Sequence, residues 1–389
     1  MLKKDITFIY MDSAEKLNYL PIAEEAQRRG YKVEFTQDKF KKCEIGIYCQ
    51  HINFPQYSNF SVIMLHDIIQ QYGSWPNIWI REPWNKYDVG VLPSYQWEKN
   101  WIESSKFYYA RPRKGVYRVG WPKADTVAGI DRETYKKYFN TQYHLDGQKK
   151  TILYAPAWEN DNKQDDFVQA MLALDVNILI KQYNATPEKY PEQYAEITRM
   201  RKLHEGNPRV VLLDTAMNIF DAILASDVLV SEESSTMAEA TMMGIPAVSV
   251  SDWLIPDVTP SRYPDCNYEF VVMTTKARLR SCISDMIAHY DEYKRRAEAY
   301  RDVTFLNFGK TASIIMDIID DCVDGKAIRH LPLTPQKKIK LNVRHYLKHK
   351  YIIWNREIRY NYCERSKVVA HIWAQVRRVK QNLTDVHIK

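Results

Sequence analysis

The sequence predicts an α/β protein made of two Rossmann-like units in tandem, followed by a basic helical tail. Three observations carry this. Short apolar runs alternate with polar, helix-compatible stretches, which is the rhythm of a parallel sheet covered by helices. That rhythm starts again near residue 150, in a chain whose 389 residues exceed one ordinary core. The charge is also uneven. The formal net charge is +7, yet 336–389 holds fourteen Lys and Arg against three acids, so the rest is slightly acidic.

The first unit is read as 1–148. "ITFIYM" is a strand, "AEKLNYLPIAEEAQRRG" a helix closed by Gly30, and "YKVEFT" the next strand. "CEIGIYCQ", "FSVIMLHD" and "YDVGVLPS" repeat the strand theme. "RVGWPKAD" and the polar stretch to "HLDGQKK" form the crossing. The second unit, 149–330, opens with the strand "KTILYAPAW". A helix at about 165–174, "VNILIKQY", a helix around 190–204 and "RVVLLD" follow. Then come "NIFDAILASDVLVS", a small-residue helix, "PAVSV", "YEFVVMTT" and a helix-rich stretch to Cys322. "HLPLTPQKK", with two prolines, leads into a tail at 331–389. No G-x-G-x-x-G fingerprint occurs, so any phosphate-binding turn is built differently.

Composition narrows the class. With 45% hydrophobic and 26% charged residues, the chain reads as a soluble globular protein. Asp5 and Asp12 interrupt the apolar N-terminal stretch, which reads as a first strand and not a signal peptide. No apolar run approaches the ~20 residues of a membrane span. Six cysteines without a C-x-x-C pair suit a reducing cytoplasm. No Asp-x-Asp pair or Cys/His cluster has metal spacing, and no cofactor motif is present, so neither metal nor cofactor is expected. In the tail, Val343, Leu347, Tyr351, Trp354 and Ile358 share a helical face. Tyr362, Val369, Ile372, Val376, Val379 and Leu383 continue at helical spacing after a break. Lys and Arg fill the rest. Such a basic amphipathic helix suits an anionic membrane surface, and nothing beyond charge suggests nucleic acid.

The stretch "SDVLVSEESSTMAEATMMGIPAV", 226–248, has the plainest chemistry. "DVLVS" reads as a buried strand and "SSTMAEATMM" as a helix, with Ser234 or Ser235 as N-cap. Helix N-termini attract phosphate, and the hydroxyls of Ser234, Ser235 and Thr236 add donors. Glu232 and Glu233 would repel phosphate but can accept hydrogen bonds from sugar hydroxyls. A nucleotide-linked ligand at the carboxyl end of a strand satisfies both; an ordinary capped helix is the alternative.

The same stretch resembles the most characteristic motif of the CDP-glycerol glycerophosphotransferase family, with Ser-Glu-Glu in place of the usual Thr-Asp-Tyr. Three further stretches resemble family motifs in the expected order. "VIMLHD" matches a strand ending in Trp-His-Gly, with Asp67 for Gly. "VYRVGWPKAD" matches a Gly-Tyr-Pro-Arg-x-Asp turn. "TILYAPAWEN" matches Tyr-Ala-Pro-Thr-Trp-Arg, with Glu159 for Arg. "ILIKQYN" sits where Lys-x-His is frequent, with Lys181 matched and Tyr183 for His. The resemblance spans roughly 60–325 and implies a GT-B fold: an acceptor unit and a nucleotide-donor unit facing a cleft.

It further implies that His66 is the base toward an acceptor hydroxyl, a task suited to an imidazole of near-neutral pKa. Asp67 beside it can orient it. Attack on the β-phosphate of a CDP-alditol would release CMP, with catalysis chiefly by positioning and charge neutralisation. Lys181 and the Ser234–Thr236 helix start are the candidates for neutralisation. Glu239 resembles the ribose-binding glutamate of nucleotide-sugar glycosyltransferases, although its usual partner position is Ser231. The expected partners are a CDP-alditol donor, a lipid-linked glycan or teichoic-acid acceptor, and an anionic membrane surface at the inner face of a bacterial membrane. Two other readings stay open here: a GT-B glycosyltransferase using a nucleotide sugar, and a non-catalytic scaffold in capsule synthesis.

Overall fold

The computed structural model describes residues 2–50, 53–69, 79, 82–157, 159, 163–253, 271–340 and 342–363, and beyond these 366, 368, 369, 371, 372 and 375. Among these residues the strands form two sheets of six, paired in parallel throughout. The first sheet holds β1 (Asp5–Ile9), β2 (Lys32–Thr36), β3 (Cys43–Cys49), β4 (Ser58–Met64), β5 (Val89–Leu92) and β6 (Val116–Arg118), in the order β2-β1-β3-β4-β5-β6. The second holds β7 (Lys150–Tyr154), β8 (Val176–Ile180), β9 (Val210–Leu212), β10 (Val228–Ser231), β11 (Ala247–Val250) and β12 (Val271–Thr274), in the order β12-β11-β10-β7-β8-β9. Every residue of β8, β10 and β11 is buried, as expected of strands covered on both faces. Each order reverses once, between β1 and β3 and between β7 and β10. Ligand crevices of open α/β sheets lie at the carboxyl ends of strands beside such reversals. This is the two-unit GT-B architecture that the sequence predicts.

Local chemistry fixes the helix starts. In α1 (Ser13–Arg28), Asp12 accepts from the Glu15 backbone N–H at 3.0 Å, and the Glu15 carboxylate accepts from the Met11 N–H at 2.6 Å. That reciprocal cap satisfies two backbone donors at once. Ser94 caps α2 (Tyr95–Ser104) and Asp131 caps α3 (Arg132–Gln142). The second unit contributes α4 (Lys163–Met171), α5 (Pro191–His204), α6 (Ile219–Ala225), α7 (Thr236–Met242), α8 (Lys276–Ala288) and α9 (Tyr290–Thr304).

The next helix, α10 (Thr311–Val323), follows the second unit in sequence but returns to the first. Its Ala312, Ile315, Met316 and Ile319 complete the core around Phe8, Ile22 and Val62. Arg29 of α1 reaches its Asp317 and Asp320, each at 2.7 Å. An apolar stripe announces a buried face without saying which sheet covers it, so the sequence left this crossing unread.

The tail is tied down. The Leu333 N–H donates to the Val116 carbonyl at 2.7 Å, and the Gln336 N–H to the Ser105 hydroxyl at 2.8 Å. The helix α11 (Val343–Ile358) docks on the first unit through His349, packed 4.8 Å from the Tyr109 ring, and through Arg356. Arg356 pairs with Glu82, and both side chains are buried. Of the apolar row expected on one face, Val343, Leu347, Tyr351 and Trp354 are solvent-facing, while Ile358 is half-buried. Val376, Val379 and Leu383 lie outside the described residues. Among the described residues no helix is long and apolar enough to cross a membrane.

Candidate active site

The carboxyl ends of both sheets contribute to one cleft. Its first wall is the segment after β4. The His66 and Asp67 side chains are in contact, Nε2 to Oδ2 at 2.9 Å. Their backbone is clamped from two helices: Asn18 of α1 donates to the His66 carbonyl at 3.3 Å, and the Trp97 indole of α2 to the Asp67 carbonyl at 3.0 Å. The other ring nitrogen, Nδ1, is buried. Burial opposes the imidazolium, but the charge and hydrogen bond of Asp67, then Glu15 and Asp12, outweigh it and raise the His66 pKa above its ordinary value.

The second wall is the segment after β10. The Ser235 hydroxyl reaches across the cleft to the other Asp67 oxygen, at 3.4 Å. One carboxylate therefore touches the histidine of one unit and the serine of the other. Ser235 occupies the N-cap position of α7 without a side-chain capping bond. Ser234 supplies that bond instead, accepting from the Thr236 N–H at 3.3 Å. Thr236 donates to the Ala155 carbonyl at 3.4 Å. A second bridge crosses nearby, where Lys189 after β8 stands 3.6 Å from Asp12.

Glu232, expected from the sequence to meet sugar hydroxyls, has its oxygens turned inward here. One accepts from the Ala157 N–H at 2.8 Å and from Lys163 at 3.1 Å, the other from Ser231 at 3.0 Å. It holds the β7 loop and the start of α4 against β10, a buried ion pair completed by hydrogen bonds. Glu233 is also buried, with 7% of its surface exposed.

Deeper in the site, Glu239 lies on α7 one turn beyond Ser235. Its Oε1 accepts from the Trp121 indole and the Lys123 ammonium, each at 3.0 Å. The "GWPKAD" turn of the first unit is thereby fixed to the second. Lys181, at the end of β8, donates to the carbonyls of Gln182 and Thr215 at 2.9 and 2.8 Å. Burial, then the charge of Lys123, brings its pKa down to about 8. Glu159 is buried and accepts from Gln164 at 3.1 Å and Gln182 at 2.9 Å; burial pushes its pKa up to about 8. Tyr183 stacks edge-on against Tyr190, and its hydroxyl pKa is raised by burial and by Asp12. Among the described residues no group of three His, Cys, Asp or Glu side chains is placed to hold a metal.

Sequence reasoning missed Asp12, Glu15, Trp121, Lys123 and Lys189. The Asp-x-x-Glu spacing at 12–15 was a readable capping signal. Trp121 and Lys123 stood in a quoted motif without a role. Nothing in the sequence marked Lys189.

Two Rossmann-like units, with a His–Asp pair on one wall and a serine-rich turn on the other, define a transferase of GT-B architecture. The chain belongs to the CDP-Glycerol:Poly(glycerophosphate) glycerophosphotransferase family, whose model matches residues 83–319. His66 and Asp67 precede that span. Among solved structures, the chain resembles the wall teichoic acid polymerase TagF at a TM-score of 0.59 and 16% identity, covering 83% of this chain and 90% of that one. It also resembles a putative UDP-N-acetylglucosamine 2-epimerase from Listeria monocytogenes (TM-score 0.57, 12% identity, 86% and 100% coverage). The UDP-GlcNAc 2-epimerase from Neisseria meningitidis is similar at 0.55 and 12%, covering 82% of this chain and 100% of that one. At these identities the likeness concerns the fold. No curated protein matches the chain by sequence.

Proposed function

We propose that the chain transfers glycerol phosphate, or a related alditol phosphate, from a CDP-linked donor to a hydroxyl of a lipid-linked cell-surface glycan or teichoic-acid precursor. The observation that carries this reading is the shared Asp67 carboxylate, which touches His66 on one side and Ser235 on the other. An acceptor hydroxyl held there loses its proton to the His66 imidazole as its oxygen bonds the donor's β-phosphorus. The bond from that phosphorus to the bridging oxygen breaks, and CMP leaves. Asp67 steadies the imidazolium that forms. Developing negative charge on the phosphoryl oxygens meets Lys181 and the hydroxyls of Ser234, Ser235 and Thr236. With only seven residues in α7, side chains more than the helix dipole supply this stabilisation.

The tail completes the reading. The exposed row Val343, Leu347, Tyr351 and Trp354, set among Lys and Arg, suits the anionic inner face of a bacterial membrane, where a lipid-linked acceptor is presented. A thermal-shift comparison of CDP, UDP and GDP tests the donor class. CDP should stabilise the protein at concentrations where UDP and GDP do not. Preferential stabilisation by UDP or GDP would instead indicate a nucleotide-sugar enzyme.

A further inference from the structure

The strongest unexplained feature of the cleft is its buried positive charge. Lys123 comes from the turn after β6 in the first unit and Lys181 from the end of β8 in the second. They are only about a tenth exposed, and Lys181 carries the electrostatic mark of Lys123. Arg201 of α5 joins them, held to Gln182 at 2.9 Å. Against these cations stand Glu239, shared with Trp121, and the exposed Asp214. Among the described residues no carboxylate lies within ion-pair distance of Lys181; its ammonium rests on two carbonyl oxygens. Burying ammonium groups with incomplete compensation is unfavourable, and the depressed Lys181 pKa is its symptom. An anion in this position would relieve it.

The location is specific. Glu239 follows Ser235 by four residues on α7, and its N–H donates to the Ser235 carbonyl at 3.2 Å. Residues four apart lie on one helical face about 6 Å apart along the axis. The Lys123–Glu239 pair therefore sits one turn from the Ser235–Asp67–His66 contact. Lys123 is also the one cation among the three that comes from the opposite unit, with its ammonium 5.5 Å from the Phe220 ring.

We propose that Lys123 is a donor-binding residue that contacts the diphosphate of the nucleotide together with Lys181, and that Glu239 holds it in position when the site lacks an anion. The donor pocket is then built from both units, and diphosphate binding draws them together. This rests on the reading of the cleft as a CDP-alditol site. It adds a residue whose role the motif resemblance did not supply.

The test is calorimetric titration of the full-length protein with CDP, with inorganic pyrophosphate as competitor. Wild type should bind CDP, and pyrophosphate should displace it. Lys123→Ala should weaken both ligands at least tenfold at an unchanged melting temperature, while Lys123→Arg stays within about threefold of wild type. Should Lys123→Ala melt early, Lys123→Gln, which keeps a hydrogen bond to Glu239 without the charge, should show the same double loss. Unchanged CDP affinity overturns the proposal. So does weakened CDP binding with unaltered competition by pyrophosphate, which would make Lys123 a mere support for Glu239. Absence of CDP binding by wild type would remove the CDP reading itself, and this proposal with it.

Discussion

His66 is partly shielded from water, which by itself would favour the neutral ring, yet three nearby carboxylates favour the charged one. The balance sets an expectation for rate against pH. A general base works only when neutral, so the acid limb of kcat/KM should lie above the ordinary imidazole pKa. Asp67→Asn removes the largest opposing charge, so the limb should move to lower pH. A limb that stays in place would mean that another group is the base. His66→Ala should lower turnover by ~10²-fold or more while donor affinity holds within a few-fold. Replacing Ser234 and Ser235 together by Ala should weaken CDP binding, because each hydrogen bond to a charged group contributes ~1.5–3 kcal/mol; titration of the double variant measures it. At this scale the sequence was partly legible. His66 and Ser235 stand at the ends of recognisable strands, where side chains face a crevice. Glu232 stands in the same kind of place, but its partner Lys163 lies 69 positions away. No local pattern reveals a partner that distant.

At the scale of elements, α11 inverts the usual arrangement. Its buried side carries His349 and Arg356, while Leu347, Tyr351 and Trp354 face outward. Periodicity correctly placed these apolar residues on one face, but a helix reading assigns the apolar face to the core only by default. Arg356 is the anchor. Burial raises the Glu82 pKa to about 7 from an ordinary 4.5, even with Arg356 lowering it. Arg356→Met should therefore destabilise the protein by ~3–5 kcal/mol, since it leaves the buried Glu82 carboxylate with the Tyr87 hydroxyl but without its paired cation. The pH dependence has a definite sign. Glu82 holds its proton more tightly when folded, so its contribution to stability is largest below about 4.5 and declines as pH rises toward 7. In the variant the decline should extend to higher pH. Urea titrations at several pH values check both points; an unaltered midpoint would mean that α11 is not anchored there. Helix α10 teaches a related lesson. Its apolar stripe was visible, but its return to the first sheet follows from the shape of the core around Phe8 and Ile22.

For the whole molecule, the two-sheet plan was the most legible feature, because strand runs buried on both faces are hard to mistake and their restart near 150 separates the units. The contacts between the units were not legible: Ser235 to Asp67, Lys189 to Asp12 and Lys123 to Glu239 each join distant parts of the chain. The tail is bound to the first unit through Leu333, Gln336 and Arg356. Its outward face is therefore better tested by substitution than by truncation. Leu347→Ser with Trp354→Ser should reduce co-sedimentation with anionic liposomes while leaving the melting temperature near wild type. High salt should weaken the wild-type interaction, as the screening length shrinks to ~3 Å at 1 M. Equal pelleting of both proteins would remove the membrane role of this face. The central claim concerns the reaction, and phosphorus NMR of its products tests it most directly. With CDP-glycerol and a glycerol-phosphate-primed acceptor, wild type should release CMP in step with new phosphodiester, and His66→Ala should do so at least ~10²-fold more slowly. CMP release near the wild-type rate in His66→Ala, or turnover only with a nucleotide sugar, would contradict the account.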